Sequence, residues 1–231
     1  MRWTFGIALA EIAGIAERRI FRLTDPNLND GLPAMLVEGG GLNSGFMLAQ
    51  YVAAALAADN KVLAHPDGVG SLPTSADQED HISNSMNAAR HAWQILRKVE
   101  RVVGIELVTA AQALDFRLKA DPHVKLGAGT AAAHTRVRQD IAHLERVRLM
   151  YLDLDRGAEL VRSGEIVRAV EEALDQQFPP PFGRRVGDEG NLLSLVPRAI
   201  ILAMNTNAIS QIKRPAHHAH AHVRCFSLGR V

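Results

Sequence analysis

The feature that most constrains the fold is a seven-residue repeat of apolar side chains between Asp80 and Arg117. One track of the repeat is formed by Ile82, Ala89, Leu96, Val103 and Ala110, and the second by Met86, Trp93, Leu107 and Leu114, with a break at Glu100. This spacing predicts one helix, roughly 55 Å long, that packs against other helices. A globule of 231 residues cannot cover both sides of such a rod, so we expect several subunits to share it as an intersubunit helical core.

Helical periodicity continues through most of the chain and no run alternates with a period of two, so the sequence predicts an all-α bundle. Further helices are expected over residues 3–23, 46–58, 131–150 and, as one or two short helices around Gly164, 156–175. The helix at 131–150 should turn Val137, Ile141 and Leu144 inward. In the helix at 46–58 only Gln50 is polar, and we expect this helix to be buried on every side.

Composition and charge exclude several classes of protein. The formal net charge is +1, which favours neither nucleic acid nor a membrane surface as a partner. The single cysteine, Cys225, cannot form an intramolecular disulfide, and the first residues lack the apolar core of a signal peptide. We therefore expect a cytoplasmic protein. The histidines after Lys213 lack the spacing of a structural zinc site, so no metal site is expected.

The composition changes near Asp175, which divides the chain into two parts. We interpret residues 1–175 as one helical domain. Residues 176–231 form a basic tail with seven basic and two acidic residues, and the helical pattern before it is broken by Pro179–Pro181. A short helix is predicted over residues 192–204. The end of the tail, from Lys213, is rich in charge and histidine, and we expect it to be disordered.

The motifs that point to chemistry lie between Gly39 and His81. They are Gly40–Met47 (Gly-Gly-Leu-Asn-Ser-Gly-Phe-Met), Asp59–Lys61 (Asp-Asn-Lys), His65-Pro66, and Pro73–His81 (Pro-Thr-Ser-Ala-Asp-Gln-Glu-Asp-His). These motifs, in this order and without gaps, closely resemble a stretch of the histidine and aromatic amino-acid ammonia-lyases. The Gln-Glu-Asp-His form is more similar to the histidine branch than to the phenylalanine or tyrosine branch.

The resemblance implies the C-terminal half of the family's all-α fold, in a tetramer. The family reaction is the non-oxidative elimination of ammonia from an amino acid, which gives urocanate when the substrate is L-histidine. It uses a methylidene-imidazolone group made from an internal Ala-Ser-Gly, and this sequence contains no Ala-Ser-Gly. We therefore expect the chain to make no cofactor of its own, to be inactive when isolated, and to work as a homo-oligomer or with a separate N-terminal half.

The resemblance also implies a set of site residues. Glu79 corresponds to the carboxylate that meets the substrate side chain, and Met47 to a pocket-lining methionine, while Gln78 and His81 flank the site. A carboxylate suits a histidine substrate because it can accept the imidazole N–H or act as a base. The alternative for Glu79 and Asp80 is that they are first-turn acids that stabilise the long helix. The alternative for His81 is that it is a packing or capping residue. The alternative for Met47 is that it is a core residue.

Three departures from the family pattern weaken the expectation of activity. Asp59 stands where the family often has Glu, and Asp77 stands where it usually has Asn. After His81 the family tends to continue Val-Ser-Met-Gly, whereas this chain reads Ile-Ser-Asn-Ser over residues 82–85. The alternative functions are therefore a non-catalytic helical subunit or truncated remnant, or a fragment of a phenylalanine or tyrosine ammonia-lyase or aminomutase.

Overall fold

The structure is a computed structural model that describes residues 2–177. In this range the chain is all-α and contains no β-strand, which confirms the predicted fold class. The helices are α1 (Arg2–Thr24), α2 (Met47–Leu63), α3 (Ser85–Ala120), α4 (Ala128–Asp140), α5 (Tyr151–Arg162) and α6 (Glu165–Gln177). A single 3₁₀ turn, Ala34–Leu36, lies between α1 and α2. No helix among residues 2–177 is long and apolar enough to cross a membrane.

The long helix α3 is the axis of the fold, as the seven-residue repeat predicts. Helix α1 runs parallel to it, because Gly6 lies beside Ile95 and Arg19 forms an ion pair with Glu106. Burial raises the pKa of Glu106, and the hydrogen bond and charge of Arg19 oppose this shift. With α2 and α5 on its other sides, α3 is buried at most positions from Val99 to Phe116.

The amino-terminal part of α3 has a different environment. Between Ser85 and Lys98 only Ala88, Ile95 and Leu96 are buried. Met86 is 78% exposed and Trp93 is 50% exposed, although both belong to the predicted apolar repeat. The guanidinium of Arg97 lies 4.3 Å from the centre of the Trp93 ring and covers part of it. Within the described residues, the seam is therefore left largely uncovered at Met86 and Trp93, while Leu96 is buried.

Helix α2 is only half buried, so the expectation of burial on every side is wrong for the single chain. Its inner face is formed by Ala49, Ala53, Ala57 and Asn60. Alanine has the smallest side chain beyond glycine, so this stripe allows α1 and α3 to approach closely. The larger side chains Leu48, Tyr51 and Val52 point away from the core, and Tyr51 is 59% exposed.

The helix predicted over residues 131–150 ends ten residues early, at Asp140. Ile141 and Leu144 are nevertheless buried as predicted, because a tertiary contact replaces the helix. The side-chain amide of Gln112 accepts a hydrogen bond from the Leu144 N–H at 3.0 Å and donates one to the Leu144 carbonyl at 3.0 Å. It therefore pairs with Leu144 as a peptide group would, and residues 141–150 contain no helix.

Residues 151–177 form two short helices with a turn at Ser163-Gly164, which confirms the prediction for this region. Gly164 has a φ of 73°, a conformation in which glycine avoids the strain of a side chain. Helix α5 packs antiparallel on α3, because Gly157 lies against Val108 and Arg162 pairs with Glu100, and α6 packs on α4. An ion-pair network of Arg136, Asp140, Arg156 and Glu165 joins α4, α5 and α6. The predictions for residues 178–231 lie outside the described residues.

Candidate active site

Glu79 lies on a hairpin between α2 and α3, which we call the finger (residues 71–82). Thr74 and Glu79 form an antiparallel backbone pair, with N–H to carbonyl distances of 2.9 and 3.3 Å. Ser71 and Ile82 face each other in the same register, and the Ser71 hydroxyl accepts a hydrogen bond from the Ile82 N–H at 2.8 Å. The motif Pro73–His81, which carries the family resemblance, thus forms the outer part of one hairpin.

The tip of the finger has an uncommon backbone. Ser75, Ala76 and Asp77 have φ values of 55°, 54° and 64°, so three successive non-glycine residues are left-handed. Each such residue costs about 1–2 kcal/mol relative to the right-handed conformation, except where a short polar side chain compensates locally. This left-handed turn reverses the chain and places Gln78 and Glu79 on the returning strand.

The side chains of Gln78, Glu79, Asp80 and His81 are all exposed. Helix α3 begins only at Ser85, with Asn84 as its N-cap and no acidic residue in its first turn. The alternative that Glu79 and Asp80 stabilise the first turn of α3 is therefore wrong for both residues. His81 makes no side-chain hydrogen bond among the described residues and does not pack in the core. Glu79 is consequently available to a ligand or to another chain.

Met47 is the first residue of α2 and is half-buried. The preceding residues fix its position: Phe46 is buried, and its N–H donates a hydrogen bond to the Met35 carbonyl at 2.9 Å. Gly45 has a φ of 51°, and a Cβ on it would lie 2.3 Å from the same carbonyl oxygen. The glycine of the Asn-Ser-Gly motif is therefore required by a close backbone approach in this chain.

The structure does not bring Met47 and Glu79 together. Met47 lies near the level of Gln112 on α3, because Met35 binds Phe46 and Leu36 accepts a hydrogen bond from Gln112. The finger joins α3 at its first residue, Ser85. These levels are roughly 40 Å apart at about 1.5 Å per residue, whereas the finger reaches only about 10 Å beyond its base. The two side chains cannot line one pocket within one chain.

A second polar cluster was not anticipated from the sequence. The Asp115 carboxylate binds His134 Nε2 and His143 Nδ1, each at 2.7 Å, and Arg138 Nη2 at 2.7 Å. Burial raises the pKa of Asp115, but the hydrogen bonds from both histidines and the Arg138 charge outweigh it and lower the pKa to about 2. The sequence gives no signal for this cluster, because its members come from three segments and share no motif.

A cleft of about 800 Å³ opens beside this cluster and is lined by Glu38, Asp115, Lys119, Arg138, His143 and Arg146, among others. Asp115 is fully engaged, and no serine or cysteine nucleophile lines the cleft. Neither Met47 nor Glu79 contributes to it. We interpret the Asp115 cluster as a structural junction between α3, α4 and the segment after α4. No group of three or more His, Cys, Asp or Glu residues within residues 2–177 could hold a metal ion.

Sequence comparison relates the chain to known enzymes. A family model described as Aromatic amino acid lyase matches residues 4–139. The histidine ammonia-lyase of Alkaliphilus oremlandii is 52% identical over 172 residues, which are 74% of this chain and 33% of that enzyme. The histidine ammonia-lyase of Clostridium tetani is 49% identical over 172 residues, with the same shares. The chain thus spans about a third of the length of these relatives.

Comparison of structures gives the same relationship. The crystal structure of histidine ammonia-lyase from Trypanosoma cruzi matches with a TM-score of 0.68 at 36% identity, over 79% of this chain and 37% of that chain. Tyrosine aminomutase from Streptomyces globisporus matches with a TM-score of 0.69 at 34% identity, over 73% of this chain and 31% of that chain.

Proposed function

Because this chain belongs to the aromatic amino acid lyase family, we propose that it forms the C-terminal part of a histidine ammonia-lyase. The proposed reaction removes ammonia from L-histidine without oxidation and gives urocanate. The observation that carries the proposal is the finger, which holds the Gln-Glu-Asp-His motif at its edge with Glu79 exposed. The similarity to named histidine ammonia-lyases at about 50% identity supports this substrate over phenylalanine or tyrosine.

Glu79 is the proposed catalytic residue, because its carboxylate matches what an imidazole side chain offers. It can accept the imidazole N–H, and the bond is charge-assisted when the ring is cationic. It can also accept a proton as a general base, a role worth typically about 10²–10⁴-fold. Gln78 and His81 flank it on the finger, and Met47 of another copy supplies an apolar contact from the first turn of α2. Together with Glu79, these three are the proposed substrate-binding residues.

The electrophilic group of the family does not fit this chain. The methylidene-imidazolone ring is made from Ala-Ser-Gly, and these 231 residues do not contain that tripeptide. We therefore assign no step of the reaction to a group formed here. The residues of this chain bind and orient the substrate, and a polypeptide segment that carries Ala-Ser-Gly completes the site. The isolated chain should release no ammonia from histidine.

We further propose that the pocket is shared between copies of the chain, in a tetramer. Measured along the axis of α3, the positions of Met47 and Glu79 are roughly 40 Å apart, so a pocket that contains both residues requires two copies of the chain. The exposed apolar side chains support such an assembly, since contiguous apolar patches usually mark interfaces. They include Leu48, Tyr51 and Val52 on α2 and Met86 and Trp93 on α3.

We place the proposed reaction in the cytoplasm. A chain with one cysteine, Cys225, forms no internal disulfide and suits a reducing compartment. Fractionation of cells that express a tagged chain tests this location.

A second candidate function is a non-catalytic helical subunit. The specific observation in its favour is the absence of Ala-Ser-Gly from the sequence. Asp77 and Asn84, which differ from the family pattern, lie on the finger and beside it, respectively. These two differences also favour the non-catalytic subunit. The two candidates differ in one respect that can be measured, because only the first makes urocanate when the missing tripeptide is supplied.

The experiment is co-expression of this chain with a family segment that carries Ala-Ser-Gly, followed by measurement of the absorbance of the α,β-unsaturated acid formed from L-histidine, L-phenylalanine or L-tyrosine, each recorded separately because only L-histidine gives urocanate. We expect urocanate from L-histidine, and loss of the activity in Glu79→Gln. The matched control is Glu172→Gln, an exposed glutamate of α6 whose side chain forms no bond to another residue within residues 2–177, and this variant should retain full activity. A stable complex that is inactive on all three substrates would favour the non-catalytic subunit.

A further inference from the structure

The finger is held by hydrogen bonds and not by packing. Residues 72–81 are all exposed, so apolar burial contributes little to their conformation. The left-handed residues 75–77 add strain at the tip, which favours opening. The position of Glu79 therefore depends on the few contacts that join the two sides of the finger.

The innermost of these contacts is made by the Ser71 side chain. The Thr74–Glu79 pair sets the register of the hairpin, and the same register places Ser71 opposite Ile82. At this position the hydroxyl replaces a backbone pair: it accepts a hydrogen bond from the Ile82 N–H at 2.8 Å and lies 3.4 Å from the Ile82 carbonyl oxygen. Ser71 thus closes a twelve-residue loop, and the contact lies three residues after Glu79 in the sequence.

The base is also joined to α3. The Asn84 side-chain amide donates long hydrogen bonds to the carbonyls of Asp67 and Gly70, at 3.3 and 3.4 Å. His91 Nδ1 lies 2.9 Å from Asp67 Oδ2, but the orientation does not form a hydrogen bond, so this contact is an ion pair only when the ring is protonated. These contacts fix the segment before Ser71 against the helix. The hydrogen bond between Ser71 and Ile82 then holds the returning side of the finger in a fixed position relative to that segment.

We infer that Ser71 is a positioning residue for Glu79. Its hydroxyl holds the returning strand of the finger in register, and the strand holds the Glu79 carboxylate where a substrate imidazole can meet it. The inference rests on the proposed function for the role of Glu79, and on the geometry of the finger alone for the role of Ser71. Nothing in the Pro73–His81 motif itself identifies Ser71, which lies outside it.

Amide hydrogen exchange of the full chain tests the structural part. In Ser71→Ala, exchange at Thr74, Glu79 and Ile82 should increase about fivefold, the factor expected for one net hydrogen bond, while the middle of α3 stays unchanged. Ser71→Thr keeps the hydroxyl and should restore the wild-type rates. Ser83→Ala is the matched control, because Ser83 is exposed and makes no side-chain hydrogen bond among the described residues. Unchanged or already unprotected amides at Thr74 and Glu79 would overturn the inference.

Urocanate binding to the complex with the Ala-Ser-Gly segment tests whether Ser71 acts through Glu79. We expect Ser71→Ala to weaken urocanate binding about fivefold in the wild-type background and not at all in the Glu79→Gln background. An equal loss in both backgrounds would show that Ser71 acts independently of Glu79, and the inference would be wrong. If no variant of the complex makes urocanate, the proposed function fails, and the exchange rates still decide the role of Ser71.

Discussion

Gly104 of α3 lies backbone to backbone against Ala158 of α5. A Cβ added to Gly104 would lie 2.5 Å from the Ala158 nitrogen, and a Cβ added to Gly157 would lie 3.0 Å from the Gly104 carbonyl oxygen. Two adjacent helices approach this closely only where side chains are absent. The contact allows α5 to cover the middle of α3, where Val103 and Val108 are buried.

Gly104→Ala should destabilise the domain by about 2 kcal/mol, because α5 must move away from α3 to admit the methyl group. The matched control is Gly14→Ala in α1, where a Cβ would meet nothing within 4 Å. That substitution should stabilise by about 0.5–1 kcal/mol, since alanine is the better helix former. Urea unfolding of both variants measures the difference. Equal effects would mean that the α3–α5 crossing is not tight.

Asp115 should make stability depend on pH in acid. Its folded pKa of about 2 lies below the ordinary value of about 3.9, so the stability that the ionised carboxylate contributes is complete above about pH 4. It is lost as the pH falls through about 2. The stability difference between wild type and Asp115→Asn should therefore shrink from pH 4 to pH 2 in urea unfolding. Asp175→Asn, on the exposed face of α6, should track wild type throughout.

Asn60 is fully buried, and neither its Nδ2 nor its Oδ1 has a hydrogen-bond partner among the described residues. An unpaired buried amide costs about 1–3 kcal/mol. Asn60→Ala, which continues the alanine stripe of α2, should therefore raise the free energy of unfolding of the chain by about 1 kcal/mol. A loss of stability would indicate that the amide is satisfied in solution. The control, Gln50→Ala, removes a hydrogen bond to Glu17 at 3.0 Å and should destabilise.

A pocket shared between copies predicts complementation. Met47→Arg and Glu79→Gln should each be inactive in the complex with the Ala-Ser-Gly segment. When the two variants are co-expressed, about a quarter of the pockets combine an intact Met47 from one copy with an intact Glu79 from another. Urocanate formation should then return to roughly that fraction of wild type. Mixtures without activity would place both residues in the same copy and contradict the proposed assembly.

How well the sequence predicts each part of this structure depends on how far apart in the sequence the interacting residues lie. The course of α3 is predictable because its repeat is local and extends over many turns. The end of α4 is not, since Leu144 pairs with Gln112, a residue 32 positions earlier. Local periodicity at Ile141 and Leu144 correctly indicates burial, but burial is compatible with an extended segment as well as with a helix.

The sequence points to candidate site residues, but it does not predict how they are arranged. The family motif points to Glu79, but the left-handed residues 75–77 contain no glycine that would mark their conformation, and nothing in the motif places Asp80 outside the helix. The Asp115 cluster is hidden for a similar reason, because His134 and His143 lie 19 and 28 positions away from the carboxylate that they bind. Such contacts are decided by tertiary packing.

The length of α3 has a consequence of its own. Met47 lies near one end of this helix and the finger lies near the other. The number of helical turns between them therefore sets the distance between these two parts of the proposed site throughout the assembly. Deleting one heptad would keep the apolar repeat in phase and leave each end locally intact. It would also shorten α3 by roughly 10 Å. In a shared pocket, Glu79 would then no longer lie close to Met47 of the neighbouring copy.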